Sequence, residues 1–251
     1  MKKVNLNKIL KKGKALFLAY DQGLEHGPTD FNDKTVNPNY IIELARKGKY
    51  TGVVFQKGIA EKYNKEIRKS RIPLIVKLNG KTNLFKGEPI ARQLCTVREA
   101  IKLGAKAVGY TIYLGSDYED EMLQEFENIQ REAHAKGLPV IAWIYPRGKS
   151  IKGKKENELM AYSARTGLEI GADIIKLHYA GDIESLKWAV KSAGKAKVVI
   201  AGGAKSEEQA FLKQVKEIMK TGAIGLAIGR NVWQAEKPLE ITKKIKKVIW
   251  G

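Results

Sequence analysis

Eight short apolar segments recur along the 251-residue chain, each followed by a polar loop and then by an amphipathic segment. They are rich in Val, Ile, Leu and Ala with little alternation, which is typical of strands buried on both faces of a parallel sheet. They occupy residues 15–21, 52–56, 73–78, 107–112, 139–145, 172–177, 197–201 and 223–228. Eight such units in this length predict a single (β/α)8 TIM barrel, with residues 1–251 as one domain. An open, doubly wound sheet is the alternative.

Several amphipathic segments carry signals for where a helix begins. Ser116 and Ser206 are each followed three residues later by Glu or Gln, the spacing of a capping box. Asp182 can cap the next helix, and Pro238 suits the first turn of the last one. The basic N-terminal segment lacks the features of a signal peptide and is predicted to form an opening helix.

The composition indicates the cellular compartment of the protein. Cys95 is the sole cysteine, so an internal disulfide and a cysteine-based metal site are both excluded. A chain with so few cysteines fits a reducing cytoplasm. No stretch approaches the 18 or so apolar residues that a membrane span requires. We therefore expect a cytoplasmic protein with no membrane partner.

The chain is strongly basic, with 46 Lys and Arg against 27 Asp and Glu and a formal net charge of +19. A positive surface attracts nucleic acid or a small anionic substrate. The basic residues are scattered along the chain, and no helix-turn-helix or RNP signature accompanies them. This pattern favours a small anion over nucleic acid as the partner, and a charge-rich solvated surface is the simpler explanation.

In a barrel of this kind, the active site lies at the carboxyl ends of the strands and in the loops that follow. The polar side chains there are few. They are Asp21, Lys57, Lys77, Tyr110, Thr111, Tyr145, Arg147, Lys176 and His178, and the last two strands are followed by Gly202 and Gly203 and by Gly229 and Arg230.

Lys176 is the most informative of these residues because it lies inside an apolar strand, in Ala-Asp-Ile-Ile-Lys-Leu-His. Lysine side chains are seldom fully buried without a reason. If the amine points into the barrel, desolvation lowers its pKa, and the neutral form can attack a carbonyl carbon. The resulting iminium is an electron sink for carbon–carbon cleavage. The alternative is a strand-end lysine that points to solvent.

Two neighbours of Lys176 are candidates for proton transfer. Tyr145 ends the preceding strand, and adjacent strands lie about 4.8 Å apart. Its phenol could therefore shuttle a proton to a substrate bound at Lys176, or its ring could merely fill the mouth of the barrel. Asp21 ends the first strand, where its carboxylate could hold the amine or a substrate hydroxyl, or cap a loop.

The glycine-containing loops after the last two strands predict a phosphate site. Gly202 and Gly203 offer backbone N–H groups without obstruction by Cβ atoms. Gly229 and Arg230 begin a short helix, whose N-terminus favours an anion. This is where TIM barrels recurrently bind phosphate, although plain tight turns are the alternative.

The histidines argue against a metal-dependent mechanism. His26, His134 and His178 form no H-x-H or H-x-x-x-H pair and have no acidic cluster beside them. We therefore expect neither a metal nor another cofactor.

Seven motifs, taken in order along nearly the whole chain, resemble those of the archaeal-type class I fructose-1,6-bisphosphate aldolases. They are Asp-Gln-Gly-Leu-Glu-His-Gly-Pro at 21–28, Gly-Val-Val-Phe-Gln-Lys-Gly at 52–58, Lys-Leu-Asn-Gly-Lys-Thr at 77–82, Val-Gly-Tyr-Thr-Ile-Tyr at 108–113, Trp-Ile-Tyr-Pro-Arg-Gly at 143–148, Gly-Ala-Asp-Ile-Ile-Lys at 171–176 and Gly-Arg-Asn-Val-Trp-Gln at 229–234. The chain differs from the family pattern at Ala201, where the family often has serine.

The resemblance implies reversible Schiff-base cleavage of fructose 1,6-bisphosphate to dihydroxyacetone phosphate and glyceraldehyde 3-phosphate, in glycolysis or gluconeogenesis. It makes Lys176 the Schiff-base lysine and Tyr145 the general acid/base, with Asp21 assisting at the iminium. It also implies a homo-oligomer, since the family forms pentamer-based rings and decamers.

The same resemblance assigns residues to substrate binding. Gly202, Gly203, Gly229 and Arg230 are expected to hold the phosphate on the ketone side. The further substrate contacts predicted are His26, Lys77, Trp143 and Arg147.

Two other functions remain open from the sequence. The 2-amino-3,7-dideoxy-D-threo-hept-6-ulosonate synthases of archaeal aromatic biosynthesis share the lysine and several motifs, but their first loop usually contains Asp-His-Gly. This chain has Asp21-Gln22-Gly23, and Trp143 also favours the bisphosphate aldolase. A noncatalytic barrel that binds phosphate or nucleic acid is the second alternative, and it would need no inward lysine.

Overall fold

A computed structural model describes residues 3–251, in which eight parallel strands close into a barrel. Each strand pairs with the next one along the chain, and the last pairs with the first. The strands are β1 Ala15–Ala19, β2 Gly52–Gln56, β3 Leu74–Lys77, β4 Ala107–Leu114, β5 Val140–Pro146, β6 Ile174–Leu177, β7 Lys197–Ala201 and β8 Gly225–Ile228. The predicted (β/α)8 barrel is therefore confirmed, and the open sheet is wrong.

Helices fill the connections between the strands. They are α1 Gly23–His26, α2 Pro38–Gly48, α3 Lys57–Lys62, α4 Asn64–Ser70, α5 Val97–Lys102, α6 Glu119–Ala135, α7 Glu156–Glu169, α8 Ile183–Ser192, α9 Glu208–Met219, α10 Arg230–Trp233 and α11 Pro238–Trp250. Three short 3₁₀ turns lie at Leu6–Lys8, Gly27–Asp30 and Lys149–Ile151, and a small hairpin pairs Asn79–Gly80 with Arg92–Gln93. Among the described residues, no helix has both the length and the apolar character needed to cross a membrane.

The predicted helix starts are only partly confirmed. The Asp182 carboxylate accepts hydrogen bonds from two backbone N–H groups of α8, and Pro238 is in the first turn of α11. The two predicted capping boxes are wrong, because Ser116 donates to the carbonyl of Pro89 at 2.6 Å and Ser206 donates to Asn231 at 3.2 Å. Both hydroxyls therefore bond to residues distant in the sequence and do not cap the helix that follows.

The predicted opening helix is also wrong for the described residues, where only the 3₁₀ turn Leu6–Lys8 forms. Residues 1 and 2, which belonged to the same prediction, lie outside the described residues. Ile9 is buried in the inner core instead, with Leu6 and Leu10 packed against that core, and an antiparallel bridge between Lys11 and Lys14 leads into β1.

Alternation along each strand divides the core into two layers. One layer fills the inside of the barrel, and the other packs between the barrel and the helices. The inner layer includes Phe17, Val54, Ile75, Ile141 and Ile174. Each large apolar side chain buried in this way stabilises the fold by about 1.5–3 kcal/mol. Because side chains alternate along a strand, the residues two positions beyond this layer also face inward, nearer the carboxyl end.

Gly109 in β4 makes room for the largest inner side chain. A Cβ atom at this position would lie 1.7 Å from Cζ3 of the Trp143 indole. No side chain can replace glycine here without moving the indole, which lies inside the barrel and is 2% exposed. Trp143 and Gly109 together therefore set the floor of the space above them.

Candidate active site

A cavity of about 510 Å³ opens at the carboxyl ends of the strands. All eleven residues predicted for the site line it, and they come from six different strands or the loops after them. They are Asp21, His26, Lys77, Trp143, Tyr145, Arg147, Lys176, Gly202, Gly203, Gly229 and Arg230. This is where a TIM barrel of this type places its chemistry.

Lys176 lies in β6 and points into this cavity. It is 6% exposed, and its strand neighbours in register are Trp143 on β5 and Val199 on β7. Burial lowers the pKa of Lys176, although the carboxylates of Asp21 and Glu25 oppose this effect. Desolvation disfavours the ammonium form, so more of the amine is neutral and nucleophilic than in an exposed lysine.

A second lysine, Lys77 at the end of β3, is buried in the same cavity. Its Nζ lies 3.5 Å from Oδ2 of Asp21. Burial lowers the pKa of Lys77 too; Asp21 raises it and the positive charge of Lys176 lowers it further. The site thus places two amines and one carboxylate within a small volume.

The Trp143 indole lies against both lysines. Nζ of Lys77 is 5.4 Å and Nζ of Lys176 is 5.2 Å from the ring centroid, which is within cation–π range. Its Nε1 is buried and has no hydrogen-bond partner among residues 3–251, and the same holds for Nε2 of Gln22. Both residues line the cavity. An unpaired buried donor costs about 1–3 kcal/mol, so a hydrogen-bond acceptor in the cavity would complement each of them.

Tyr145 lies two residues beyond Trp143 on β5, nearer the mouth of the cavity. Burial raises the pKa of the Tyr145 phenol, Asp21 and Glu25 raise it further, and Arg147 lowers it. The phenol is therefore protonated at neutral pH in the absence of substrate. The Arg147 guanidinium lies 5.4 Å from the Tyr145 ring and 5.6 Å from the Tyr113 ring, and it donates to Glu25 at 2.7 Å.

The loops after β7 and β8 form the other wall. Gly203 has a φ of +69°, a left-handed conformation that favours glycine. The buried Asn231 side chain donates to the carbonyls of Gly202 at 2.7 Å and Ala204 at 2.8 Å, and its oxygen accepts from the backbone of Ser206. Asn231 therefore holds this loop against α10, whose first residue is Arg230.

Not every strand-end residue takes part. Lys57 turns away to pair with Glu99 at 2.5 Å, and the Tyr110 hydroxyl donates to Glu125 on α6. Neither lines the cavity. For Tyr110 the reason is parity, because Thr111 and Tyr113 face inward and the residue before Thr111 must face the helices.

Three further residues at the site, Gln22, Glu25 and Asn231, were not predicted, although they lie within segments whose neighbouring residues were. Gln22 and Glu25 belong to the Asp-Gln-Gly-Leu-Glu-His segment, and Asn231 follows Arg230. A polar residue beside a predicted substrate contact was the available signal. In residues 3–251, no three His, Cys, Asp or Glu side chains converge as metal ligands would.

Comparison with known proteins gives consistent matches. Residues 15–235 match the model of the DeoC/LacD family of aldolases. The chain is 48% identical to the class 1 fructose-bisphosphate aldolase of Thermoproteus tenax and 43% identical to that of Halobacterium salinarum. Each match covers 96% of this chain, with 91% and 92% of the relatives.

A solved structure of an archaeal fructose-1,6-bisphosphate aldolase is similarly close. Its catalytic lysine is covalently bound to the carbinolamine intermediate of the substrate. The two chains are 46% identical with a TM-score of 0.92, and the match covers 98% of each.

Proposed function

The chain belongs to the DeoC/LacD family of aldolases, and within it to the archaeal-type class 1 fructose-bisphosphate aldolases. We propose that Lys176 is the lysine that forms the Schiff base with the substrate. The reaction is the reversible cleavage of fructose 1,6-bisphosphate to dihydroxyacetone phosphate and glyceraldehyde 3-phosphate. The observation that carries the assignment is the amine of Lys176, which is buried in a cavity whose wall contains the Gly202–Gly203 loop. The class 1 relatives favour cleavage of fructose 1,6-bisphosphate over the reaction of the heptulosonate synthases. A noncatalytic barrel does not fit a family of aldolases.

The chemistry begins at the ketone. The neutral Lys176 amine adds to C2 of the substrate and gives a carbinolamine. Loss of water then gives an iminium, which draws electrons from the C3–C4 bond. When the C4 hydroxyl loses its proton, that bond breaks, the aldehyde leaves and an enamine remains on Lys176. Protonation at C3 and hydrolysis release dihydroxyacetone phosphate and restore the amine.

Tyr145 is suited to move the protons in this sequence. Its phenol starts protonated because burial raises its pKa, so it can first donate a proton to the departing hydroxyl of the carbinolamine. The phenolate left behind then accepts the proton of the C4 hydroxyl. The cationic Arg147 at 5.4 Å from the ring stabilises that phenolate. One group thus serves as acid and then as base.

Lys77 and Asp21 form the pair that sets the charge around Lys176. Asp21 favours the protonated form of both lysines, and we propose that Lys77, whose Nζ lies 3.5 Å from Oδ2 of Asp21, is the one that keeps its proton. The repulsion between two neighbouring ammonium groups also favours the neutral amine. Lys77 therefore helps Lys176 to act as a nucleophile.

Lys77→Met is expected to move the acid limb of the pH–rate profile to higher pH. Without the Lys77 charge, Asp21 acts on Lys176 alone and raises its pKa, so less neutral amine is present at a given pH. The measurement is kcat/KM for fructose 1,6-bisphosphate across pH 5–9. An acid limb that stays in place or moves to lower pH would contradict this role.

Arg230→Ala tests the phosphate site. A charge-assisted hydrogen bond to phosphate stabilises the complex by about 2–3 kcal/mol, so kcat/KM should fall roughly 30-fold to 150-fold. Lys205→Ala is the matched control, because Lys205 donates to the carbonyl of Gln234 and does not line the cavity. Unchanged kinetics in Arg230→Ala would mean that this arginine only supports the loop.

The function itself is tested by one assay with two treatments. Cleavage of fructose 1,6-bisphosphate should proceed equally with and without EDTA. Borohydride added with dihydroxyacetone phosphate should attach a stable adduct to the peptide that contains Lys176. Loss of activity in EDTA with recovery on added zinc would indicate a metal-dependent mechanism instead.

We further propose that residues 1–251 form one domain and that the chain works in the cytoplasm as a homo-oligomer that assembles through its outer helices. The aromatic side chains of Tyr162 on α7 and Trp188 on α8 are 65% and 59% exposed, which supports an interface at these helices. Light scattering measures the molar mass of the assembly, which should be a multiple of that of one chain.

A further inference from the structure

Asp30 lies just behind the cavity and connects two residues that line it. Its Oδ2 is 2.6 Å from Nδ1 of His26, and its Oδ1 is 3.6 Å from Nη1 of Arg230. Its backbone carbonyl accepts a hydrogen bond from Nε2 of Gln234 at 2.7 Å. Asp30 does not itself line the cavity, whereas His26 and Arg230 do.

The barrel closure explains this meeting. Strand β8 pairs with β1, so the loop after β1 lies beside α10, which follows β8. His26 ends α1 and Asp30 ends the 3₁₀ turn that follows, so their pairing spans four residues. Arg230 is two hundred positions away in sequence and is brought to the same carboxylate by closure alone.

The contact also places His26 within the substrate site. Glu25, the residue before it, pairs with Arg147 after β5, while His26 turns to the side of β8. Arg230 donates to the carbonyl of Gly203 at 3.4 Å, so His26, Arg230 and the Gly203 loop surround one region of the cavity.

We propose that Asp30 is a positioning residue that holds His26 and Arg230 around the phosphate of the ketone half of the substrate. This inference rests on the proposed function. The Asp30 carboxylate occupies Nδ1 and leaves Nε2 of His26 for the ligand. One ring nitrogen is thus paired with a carboxylate, and the other is the nitrogen that can form a hydrogen bond with a phosphate. His26 thereby becomes a ligand of the same phosphate as Arg230.

The arrangement also explains why a carboxylate is tolerated so close to an anion site. Asp30 carries one negative charge, and the Arg230 guanidinium 3.6 Å away balances it. The guanidinium has five N–H donors and uses few of them on Asp30 and Gly203. The remaining donors face a ligand without losing the contacts that orient the group.

Asp30→Asn tests the proposal, with Asp33→Asn as its matched control. Asp33 is exposed and forms no ion pair among residues 3–251. Each variant is titrated with two ketones in the presence of borohydride, namely dihydroxyacetone phosphate and the unphosphorylated dihydroxyacetone. Asp30→Asn should raise the half-saturating concentration of the phosphorylated ketone roughly tenfold or more, the effect of weakening one or two charge-assisted hydrogen bonds. It should leave trapping of dihydroxyacetone unchanged, and Asp33→Asn should match the wild type with both.

A second pair of substrates identifies the phosphate. Fructose 1-phosphate and fructose 1,6-bisphosphate share the ketone-side phosphate, so KM should rise by the same factor for both. A rise for the bisphosphate alone would assign the array to the other phosphate and overturn the proposal. If Asp30→Asn weakened the binding of dihydroxyacetone as much as that of dihydroxyacetone phosphate, the cause would be a general distortion of the site. If it left the binding of the phosphorylated ketone unchanged or tighter, Asp30 would have no positioning role. Either result would overturn the proposal.

His26→Gln provides the test if Asp30→Asn melts at a much lower temperature than the wild type. It should show the same selective loss with dihydroxyacetone phosphate, and an equal effect on both ketones would overturn the proposal. Failure of the proposed function is distinguishable, because it would appear in the wild type as no adduct on Lys176 with either ketone.

Discussion

Replacement of Lys176 by alanine or methionine should abolish both cleavage of fructose 1,6-bisphosphate and borohydride trapping of dihydroxyacetone phosphate. No other group provides the electron sink on which carbon–carbon cleavage depends. The variant should lose most of the acceleration of about 10⁶-fold or more that enzymes typically provide. Mass spectrometry of the borohydride-treated protein and a coupled cleavage assay measure the two losses.

Loss of folding would not explain this result, because Lys176→Met keeps most of the side-chain volume. The buried lysine has a lowered pKa, so at neutral pH the folded state disfavours a charge that the unfolded chain accommodates freely. That cost is present below the unfolded pKa of about 10.4, and methionine removes it. The free energy of unfolding of Lys176→Met should therefore be no lower than that of the wild type at pH 7.

Lys57→Met is the matched control for lysine chemistry. Lys57 also follows a barrel strand, but it pairs with Glu99 outside the cavity. This variant should keep both cleavage and trapping. A stable adduct on Lys57, or trapping that persists in Lys176→Met, would remove Lys176 from its proposed role.

Tyr145→Phe should slow cleavage by about 10²–10⁴-fold, the usual contribution of positioned proton transfer. The change removes only the hydroxyl and leaves the ring that packs against Arg147. The extent of borohydride labelling at Lys176 should be largely kept, because the amine is intact and water can replace the phenol in dehydration. The rate of labelling reports how far dehydration depends on the phenol. Single-turnover cleavage and time-resolved trapping separate the two steps.

Tyr110→Phe is the corresponding control. Its hydroxyl bonds to Glu125 outside the barrel, so the variant should lose some stability, about 1–2 kcal/mol, and keep its rate. If Tyr145→Phe cleaves at the wild-type rate, the phenol only fills space. The proton transfer would then fall to Asp21, whose side chain lines the same cavity as Lys176.

The sequence alone was enough to predict the barrel, because a strand buried on both faces is a nearly continuous apolar run, which is visible in the local composition. No end of the eight predicted strands is more than two residues from its observed position. The site could be predicted in the same way, because the carboxyl ends of all barrel strands meet at one end of the barrel, independently of the conformation of the loops. Lys176, two residues after the inward-facing Ile174, is the clearest case.

Tertiary structure decided the partners of those residues. Ser116 and Ser206 have capping-box spacing, yet Pro89 and Asn231 bind their hydroxyls, because a hydrogen bond depends on what folding brings near and not on sequence distance. The Glu25–Arg147 pair spans 122 positions and joins loops on different strands. Asp30 could be linked to His26 from a spacing of four residues, but its contact with Arg230 exists only because β8 closes against β1. Local pattern thus determined which side chains face the cavity, and closure of the barrel determined which of them hold one another in place.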